Sequence, residues 1–205
     1  MTFSLDDLAT FTRGEGFSAD YPPNVRILLS PRHDGHAAIV AALGAAETSL
    51  VGGMYGFDDE SVSGIYAEKC QAPHFLAMLS LDRSQAGGLH ERDILASMHA
   101  SGIDADAPGT SIAVGDVHDA VMRTVAVGTS SVKGAISHLK QWVIDGRFVL
   151  DGSMNESTSG EEWQNNSLVV IDDRVVAAQV QANLLLVHVE MKRQMEARAL
   201  NAERK

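Results

Sequence analysis

A histidine, a lysine and small polar residues follow one another at a spacing that suits chemistry at phosphorus. His138 and Lys140 are two residues apart in a strand-like segment, so both side chains can face one cleft. Asp145 precedes a glycine in a tight turn, and the returning strand leads to Ser153 and Asn155. The imidazole can attack phosphorus while the ammonium group and the amide stabilise charge on the non-bridging oxygens. This chemistry requires no metal ion.

Each of these residues also has an ordinary structural interpretation. His138 and Lys140 could be a surface pair on an edge strand, and an aspartate ahead of a glycine, such as Asp145, is a routine turn residue. Ser153 and Asn155 are common in loops that bind no ligand. The functional interpretation is favoured for the histidine and the lysine because the small polar residues follow them at a defined distance.

The run HLKQWVIDGRFVLDGSMN resembles the HxKxxxxDxxxxxxGSxN signature of the phospholipase D superfamily. Every defined position of the signature is in register. The segment AAETSLVGGMYGF is also similar to an early strand of this family, and the order of elements agrees from Val25 to Val189. The resemblance implies a phosphodiesterase with three groups of site residues. The catalytic residues would be His138, Lys140 and Asp145, the substrate-phosphate-binding residues Ser153 and Asn155, and the supporting residues Gly152 and Asn166.

The chain contains one copy of the motif and no internal repeat. A single copy resembles the small bacterial endonucleases of the family, which form the site between two subunits. The resemblance therefore implies a homodimer in which two copies of His138 meet. One imidazole would form a covalent phosphohistidine, and the other would protonate the leaving group and then activate water. Asp145 resembles a family position that is more structural than catalytic.

The sequence departs from the family pattern at one position. Related endonucleases carry a glutamate just before the strand that follows the GSxN segment, where it orients the histidine, and Asn166 stands at that place. Asparagine can accept a hydrogen bond from imidazole but cannot stabilise an imidazolium ion by charge. Glu161 or Glu162 could substitute for the glutamate if the loop shifts.

Three functions are open at this stage. We expect a metal-independent endonuclease with nucleic acid as its substrate. The first alternative keeps the chemistry but changes the substrate to a phospholipid or another small diester. The second alternative is a binding or scaffold dimer without turnover, motivated by Asn166 and by the formal net charge of −11. No cofactor is expected for any of them.

The acidic net charge means that no overall positive field draws nucleic acid to the protein. A local cluster of Arg123, Lys133, Lys140 and Arg147 could concentrate positive potential in one cleft, although scattered basic residues are usually a solvated surface. Trp163, in the loop after the motif, could stack on a base or form a dimer contact.

His33, Asp34 and His36 are close enough in sequence to suggest a metal site, but such a loop ahead of a helix is more often a capping segment. We predict no metal there. Trp142 should belong to the core, and the single cysteine, Cys70, should be a buried thiol. Because the chain has one cysteine, no secretory signal and no uninterrupted membrane-spanning apolar run, we expect a cytoplasmic protein without stable membrane insertion.

The element pattern indicates an α/β fold, and the resemblance implies a mixed, largely central sheet with helices on both faces. Residues 1–24 are interpreted as an N-terminal arm, 25–205 as one phospholipase D-like domain, and 104–133 as an irregular insertion within it. The predicted strands are 25–29, 49–54, 75–81, 141–144, 148–150 and 168–171, and the predicted helices are 35–47, 59–72, 89–101 and 174–205.

Overall fold

The computed structural model describes residues 3–100, 123–130, 135–156 and 164–204. The strands in this part of the chain are β1 Val25–Leu29, β2 Ser49–Met54, β3 Leu76–Asp82, β4 Arg123–Gly128, β5 Lys140–Ile144, β6 Phe148–Gly152 and β7 Ser167–Asp172. The helices are α1 Gly35–Gly44, α2 Glu60–Gln71, α3 Arg83–Ala86, α4 Leu89–Ala100 and α5 Arg174–Glu203, with a 3₁₀ helix at Leu5–Thr12.

The strands form one seven-stranded mixed sheet in the order β1-β7-β6-β5-β2-β3-β4. The neighbours β2, β3 and β4 run parallel, whereas β5, β6, β7 and β1 each pair antiparallel with their neighbours. Side chains of α1, α2, α4 and the 3₁₀ helix pack on one face, and α5 packs on the other. The α/β class, with helices on both faces of a central sheet, is therefore confirmed.

Local sequence explains where the first two helices begin. The side chain of Asp34 accepts a hydrogen bond from the amide of Ala37 at 3.0 Å and caps α1. Asp59 caps α2 in the same way, with a bond of 2.8 Å from the amide of Val62. The predicted capping segment ahead of α1 is thus confirmed at Asp34.

The core of the sheet depends on close packing between neighbouring strands. Trp142 is 1% exposed, and its ring lies where a side chain at Gly52 would be, 2.4 Å from the position of an added Cβ. Only a glycine at this position of β2 leaves room for the indole. Cys70 is also buried. The predicted core positions of the tryptophan and the cysteine are confirmed.

Helix α5 carries a buried histidine into the interface with the sheet. His188 is 1% exposed, and its Nδ1 lies 3.2 Å from the hydroxyl of Ser80. Burial and the nearby ammonium group of Lys192 lower the pKa of His188 to about 4, so the imidazole is neutral at neutral pH. Within the described residues, no helix is both long enough and apolar enough to cross a bilayer.

Two parts of the chain differ from their predicted organisation. Phe3, Leu5 and Leu8 are buried in the main core, so these residues of the predicted arm pack as part of the domain. Residues 123–128, predicted within an irregular insertion, form the edge strand β4. Pairing with β3 outweighs the glycine, serine and aspartate residues that interrupt the local pattern. The rest of the insertion, except residues 129 and 130, lies outside the described residues.

Candidate active site

The residues of the sequence motif, apart from its aspartate, collect at one edge of the sheet. Strands β2 and β5 are antiparallel with Met54 opposite Lys140, so the end of β2 meets the beginning of β5. In the next pair but one, Gly152 at the end of β6 lies opposite Leu168 near the beginning of β7. The carboxyl ends of β3 and β4, which run parallel to β2, lie at this edge as well. We call it the site edge.

His138 and Lys140 are in direct contact at the site edge. His138 lies just before β5, which begins at Lys140. The ammonium Nζ of Lys140 lies 3.2 Å from Nε2 of His138 and 3.4 Å from the backbone oxygen of the same residue. An ammonium group can only donate hydrogen bonds, so Nε2 is the acceptor and carries the lone pair. This nitrogen therefore has the form that a nucleophile requires.

Lys140 is largely withdrawn from solvent. The residue is 7% exposed, and burial lowers the pKa of its ammonium group below the usual value of 10.5. Its Nζ also lies 5.1 Å from the centre of the Tyr55 ring. A cation with few water molecules around it is attracted strongly to a phosphoryl oxygen, because water screens the charge less.

The small residues after β6 are fixed by the beginning of β7. A Cβ atom at Gly152 would lie 2.0 Å from the backbone oxygen of Ser167, so the close approach of the two strands requires glycine. The hydroxyl of Ser153 donates to Oδ1 of Asn166 at 3.0 Å and accepts from the amide of Ser167 at 3.0 Å. Asn166 is thus bonded to Ser153, and the described contacts of the His138 ring are with Lys140 and Tyr55.

Asn155 lies behind the turn that follows β2. Its Cβ and Cγ are each 3.5 Å from the place that a Cβ would occupy at Gly56. Its Oδ1 is buried and has no hydrogen-bond partner in the described part of the chain. Rotation of the amide by 180° exchanges the oxygen for an NH₂ group, so this buried position can present either an acceptor or a donor. The amide oxygen is therefore a buried polar atom without a described partner at the site edge.

Asp145 is not brought to the site edge. It lies in the turn after β5, about 20 Å along the extended chain from His138. Its carboxylate accepts hydrogen bonds from the amides of Glu47 at 3.0 Å, Thr48 at 2.7 Å and Ser49 at 2.9 Å, and one from the Thr48 hydroxyl at 2.9 Å. These bonds attach the β5–β6 turn to the beginning of β2. Asp145 was grouped with the catalytic residues, but the structure gives it a structural role at the opposite end of the sheet.

The substitution Asp145→Asn is expected to lower the free energy of unfolding by about 1–3 kcal/mol at pH 7, since charge-assisted bonds are lost. Asparagine tolerates the positive φ of 52° at this position, so the change isolates the carboxylate. Partial burial alone would raise the pKa of Asp145, but the hydrogen bonds from Ser49, Thr48 and Glu47 outweigh it and lower the pKa. The stabilisation is therefore present above the unfolded-state pKa and lost as the pH falls through the folded-state value.

Urea denaturation measures this effect, with the exposed Asp20→Asn as the control. The gap between the wild type and Asp145→Asn should be largest near neutral pH and should narrow as the pH falls toward about 3. A variant as stable as the wild type at pH 7 would contradict the structural role.

The basic residues considered as one cluster are separated in the structure. Arg147 lies in the turn beside Asp145, and two of its nitrogens each lie 2.6 Å from the carboxylate of Asp172. Arg123 begins β4 and so belongs to the opposite edge from Lys140. Strand direction places these two arginines at the other end of the sheet, so they do not form one cluster with Lys140. Lys133, Glu161, Glu162 and Trp163 lie outside the described residues.

The histidines near α1 have separate partners. The amide of Leu29 donates to Nδ1 of His33 at 3.1 Å, and Nε2 of His33 lies 3.5 Å from Glu15. Nε2 of His36 lies 2.5 Å from Oδ2 of Asp59, the residue that caps α2. Among the residues that the structure describes, no group of three or more histidine, cysteine or acidic side chains is arranged to hold a metal ion.

Three residues near His138 are missing from the site derived from the sequence. The Tyr55 ring lies 4.5 Å, centre to centre, from the imidazole of His138 at an angle of 59°. Gln85 donates to the Tyr55 hydroxyl at 3.0 Å, and Asp82 accepts from the amide of Ser137 at 2.6 Å. The available signal was the position of Tyr55 and Asp82 at the carboxyl ends of parallel strands, which meet at one edge of a sheet. The contact of Gln85 had no local signal.

A groove of about 370 Å³ borders His138 on the side of α5. Its walls include Ile136 before β5 and Leu186 and Glu190 on the helix. Ile136 is 49% exposed and Leu186 is 72% exposed. The groove therefore has a mixed lining of apolar and polar side chains, and none of the described residues that line it is a lysine or an arginine.

Comparisons with known proteins agree with this architecture. The family model described as "Cardiolipin synthase, PLD-like domain" matches residues 77–185, more than half of the chain. No curated protein sequence matches the chain. Among solved structures, a phospholipase D family member, Nuc from Salmonella typhimurium, is similar with a TM-score of 0.61 and 18% identity, over 78% of this chain and 90% of that one.

Two further structures show the same fold. NucT from Helicobacter pylori is similar with a TM-score of 0.56 and 15% identity, over 82% of this chain and 96% of that one. The phosphatidylserine synthase of Haemophilus influenzae gives a TM-score of 0.58 and 14% identity, over 89% of this chain but 43% of that one. The fold is thus shared with chains of similar length and with part of a longer chain.

Proposed function

Because the chain belongs to the phospholipase D superfamily, we propose that it hydrolyses phosphodiester bonds through a phosphohistidine, as a metal-independent endonuclease. The supporting observation is the 3.2 Å contact between Nε2 of His138 and Nζ of Lys140 at the site edge. A nucleophile and a poorly solvated cation at this separation can reach the same phosphoryl group. The amide of Asn155 lies at the same edge and offers a further polar group to that phosphate.

The reaction has two steps. In the first, the lone pair of His138 Nε2 forms a bond to phosphorus and the bond from phosphorus to the leaving oxygen breaks. The partner subunit's His138 donates a proton to that oxygen. In the second step, the partner subunit's His138, which is now neutral, removes a proton from a water molecule. The water oxygen then displaces Nε2 of the first histidine from phosphorus. Lys140 turns from Nε2 to a non-bridging oxygen and stabilises its charge in both steps.

The homodimer supplies the second histidine. Each chain contributes one His138, whereas the reaction needs a nucleophile and a separate proton donor. The exposed apolar side chains of Ile136 and Leu186 border the groove that also contains His138. A second copy placed against this groove would cover these side chains and bring its own histidine to the same phosphate.

Nucleic acid is the proposed substrate because the single motif resembles that of the small endonucleases. A second candidate is a diester with an uncharged apolar group, such as a phospholipid. It is favoured by charge, since the described residues around the groove include the acidic Glu190 but no lysine or arginine. Contacts with the nucleic-acid backbone usually require such basic side chains.

Gel filtration combined with activity assays tests the proposal. The purified protein should elute as a dimer at micromolar concentration, and cleavage of DNA or RNA should elute with it and persist in EDTA. Activity confined to a monomer would contradict the shared site. If the protein hydrolyses bis(p-nitrophenyl) phosphate but leaves every nucleic acid intact, nucleic acid is not its substrate. Release of the headgroup from phosphatidylcholine vesicles would then support the second candidate.

A further inference from the structure

We propose that Tyr55 is a positioning residue that holds the imidazole of His138 and the ammonium group of Lys140 in their reactive arrangement. This inference rests on the proposed function of the same site. It assigns to an aromatic ring the orienting task that the family resemblance gives to a glutamate.

The position expected to orient the histidine is occupied by another interaction. Oδ1 of Asn166 accepts the hydrogen bond of Ser153 at 3.0 Å. The described polar contacts of the His138 ring are confined to Lys140, which is a cation and does not restrain the imidazole as a carboxylate would. Among the residues that the structure describes, packing is therefore what remains to orient the ring.

Tyr55 contacts the reacting pair in three ways. Its ring lies 4.5 Å from the imidazole of His138 and forms a wall against rotation of that ring. The same ring lies 5.1 Å from Nζ of Lys140, a distance at which an aromatic face attracts a cation. Its backbone amide donates to the oxygen of Leu139 at 2.8 Å, between the two reacting residues. One residue thus fixes the side chains and the backbone that joins them.

Tyr55 is itself held in place by a hydrogen bond from α3. Gln85 of this helix donates to the Tyr55 hydroxyl at 3.0 Å. The residue that caps α3, Asp82, is fully buried, and its other carboxylate oxygen accepts from the amide of Ser137 at 2.6 Å. Helix α3 and its capping residue therefore support His138 in two ways. Gln85 holds the tyrosine ring, and Asp82 holds the backbone just before His138.

Two substitutions separate the ring from its hydroxyl. Tyr55→Leu removes the aromatic wall and the cation contact, and kcat should fall about 10–100-fold because a small displacement of the nucleophile is costly. KM should stay within about threefold, since the groups that bind the phosphate remain. Tyr55→Phe keeps the ring and should restore kcat to within about threefold of the wild type.

Tyr21→Leu is the matched control. Tyr21 is partly exposed, packs on Phe17 at 5.4 Å and lies 5.8 Å from the guanidinium of Arg26, so it loses similar contacts. It precedes β1 at the end of the sheet opposite the site edge. Its substitution should leave kcat unchanged. Equal losses in Tyr55→Leu and Tyr21→Leu, or a Tyr55→Leu enzyme with wild-type kcat, would overturn the inference.

A spectroscopic measurement distinguishes failure of this inference from failure of the proposed function. The Cε1–H signal of His138, assigned by its absence in His138→Ala, should shift in Tyr55→Leu because the neighbouring ring is lost. It should stay in place in Tyr21→Leu. An unshifted signal in Tyr55→Leu would overturn the positioning role even if the wild type were active. A wild type that turns over no diester would reject the function, while the signal would still decide the role of Tyr55.

Discussion

Replacing His138 with alanine should reduce turnover about 10⁴-fold or more, because the reaction loses the atom that forms the covalent bond to phosphorus. Nε2 of His138 accepts from the ammonium group of Lys140 at 3.2 Å, and alanine offers no nucleophile at this place. The wild type incubated with a labelled diester and quenched in alkali should retain the label on histidine. The alanine variant should retain none.

The exposed His90 on α4 provides the control for this experiment. His90→Ala removes an imidazole from the surface and should retain both the label and the rate. A His138→Ala protein that remains folded and keeps more than about a tenth of the activity would contradict a phosphohistidine at this position. Circular dichroism of both variants separates loss of chemistry from loss of folding.

The second largest effect is expected for Lys140→Met, which removes the cation and keeps a side chain of similar length. The rate should fall about 10²–10³-fold, as for the loss of one group that stabilises charge on the reacting oxygens. Stability should not fall with it, because Lys140 is 7% exposed and its ammonium group loses solvation on folding. The variant should therefore be less active and at least as stable.

The pH dependence of unfolding tests why Lys140→Met should lower activity without lowering stability. Burial lowers the pKa of Lys140 from 10.5, so below the folded-state value the group is charged in both states and the full cost of desolvation is present. As the pH rises toward 10.5, the lysine loses its proton in the folded state first and the cost disappears. Any stability advantage of Lys140→Met at pH 7 should shrink in this range. A clear loss of stability at pH 7 would show that the ammonium group stabilises the fold.

Local sequence patterns were sufficient to predict much of the scaffold around the site. The hairpin of β5 and β6 follows from the apolar segments on either side of the turn at Asp145, and the beginning of α1 follows from the capping segment that contains Asp34. The boundaries of β1 and β2 agree with the prediction residue by residue. These features depend on neighbours in the chain, which is the information that local patterns contain.

The features that were missed depend on residues far apart in the chain. Asp145 belongs to the motif in sequence, but strand β5 separates it from His138. The two residues therefore lie at opposite ends of the sheet. Residues 121–127 look strand-like in sequence, but only the pairing of β4 with β3 decides between a strand and an irregular insertion. Tyr55 and Gln85 meet across 30 residues of sequence, so no local period indicates their contact.

The carboxylate of Asp145 joins the turn after β5 to the amides at the beginning of β2, far from where the phosphate would enter. Register between these two central strands is consequently secured at the end of the sheet opposite His138 as well as beside it. Substitutions in the loops around His138 should therefore leave these bonds, and the strand alignment that they secure, in place.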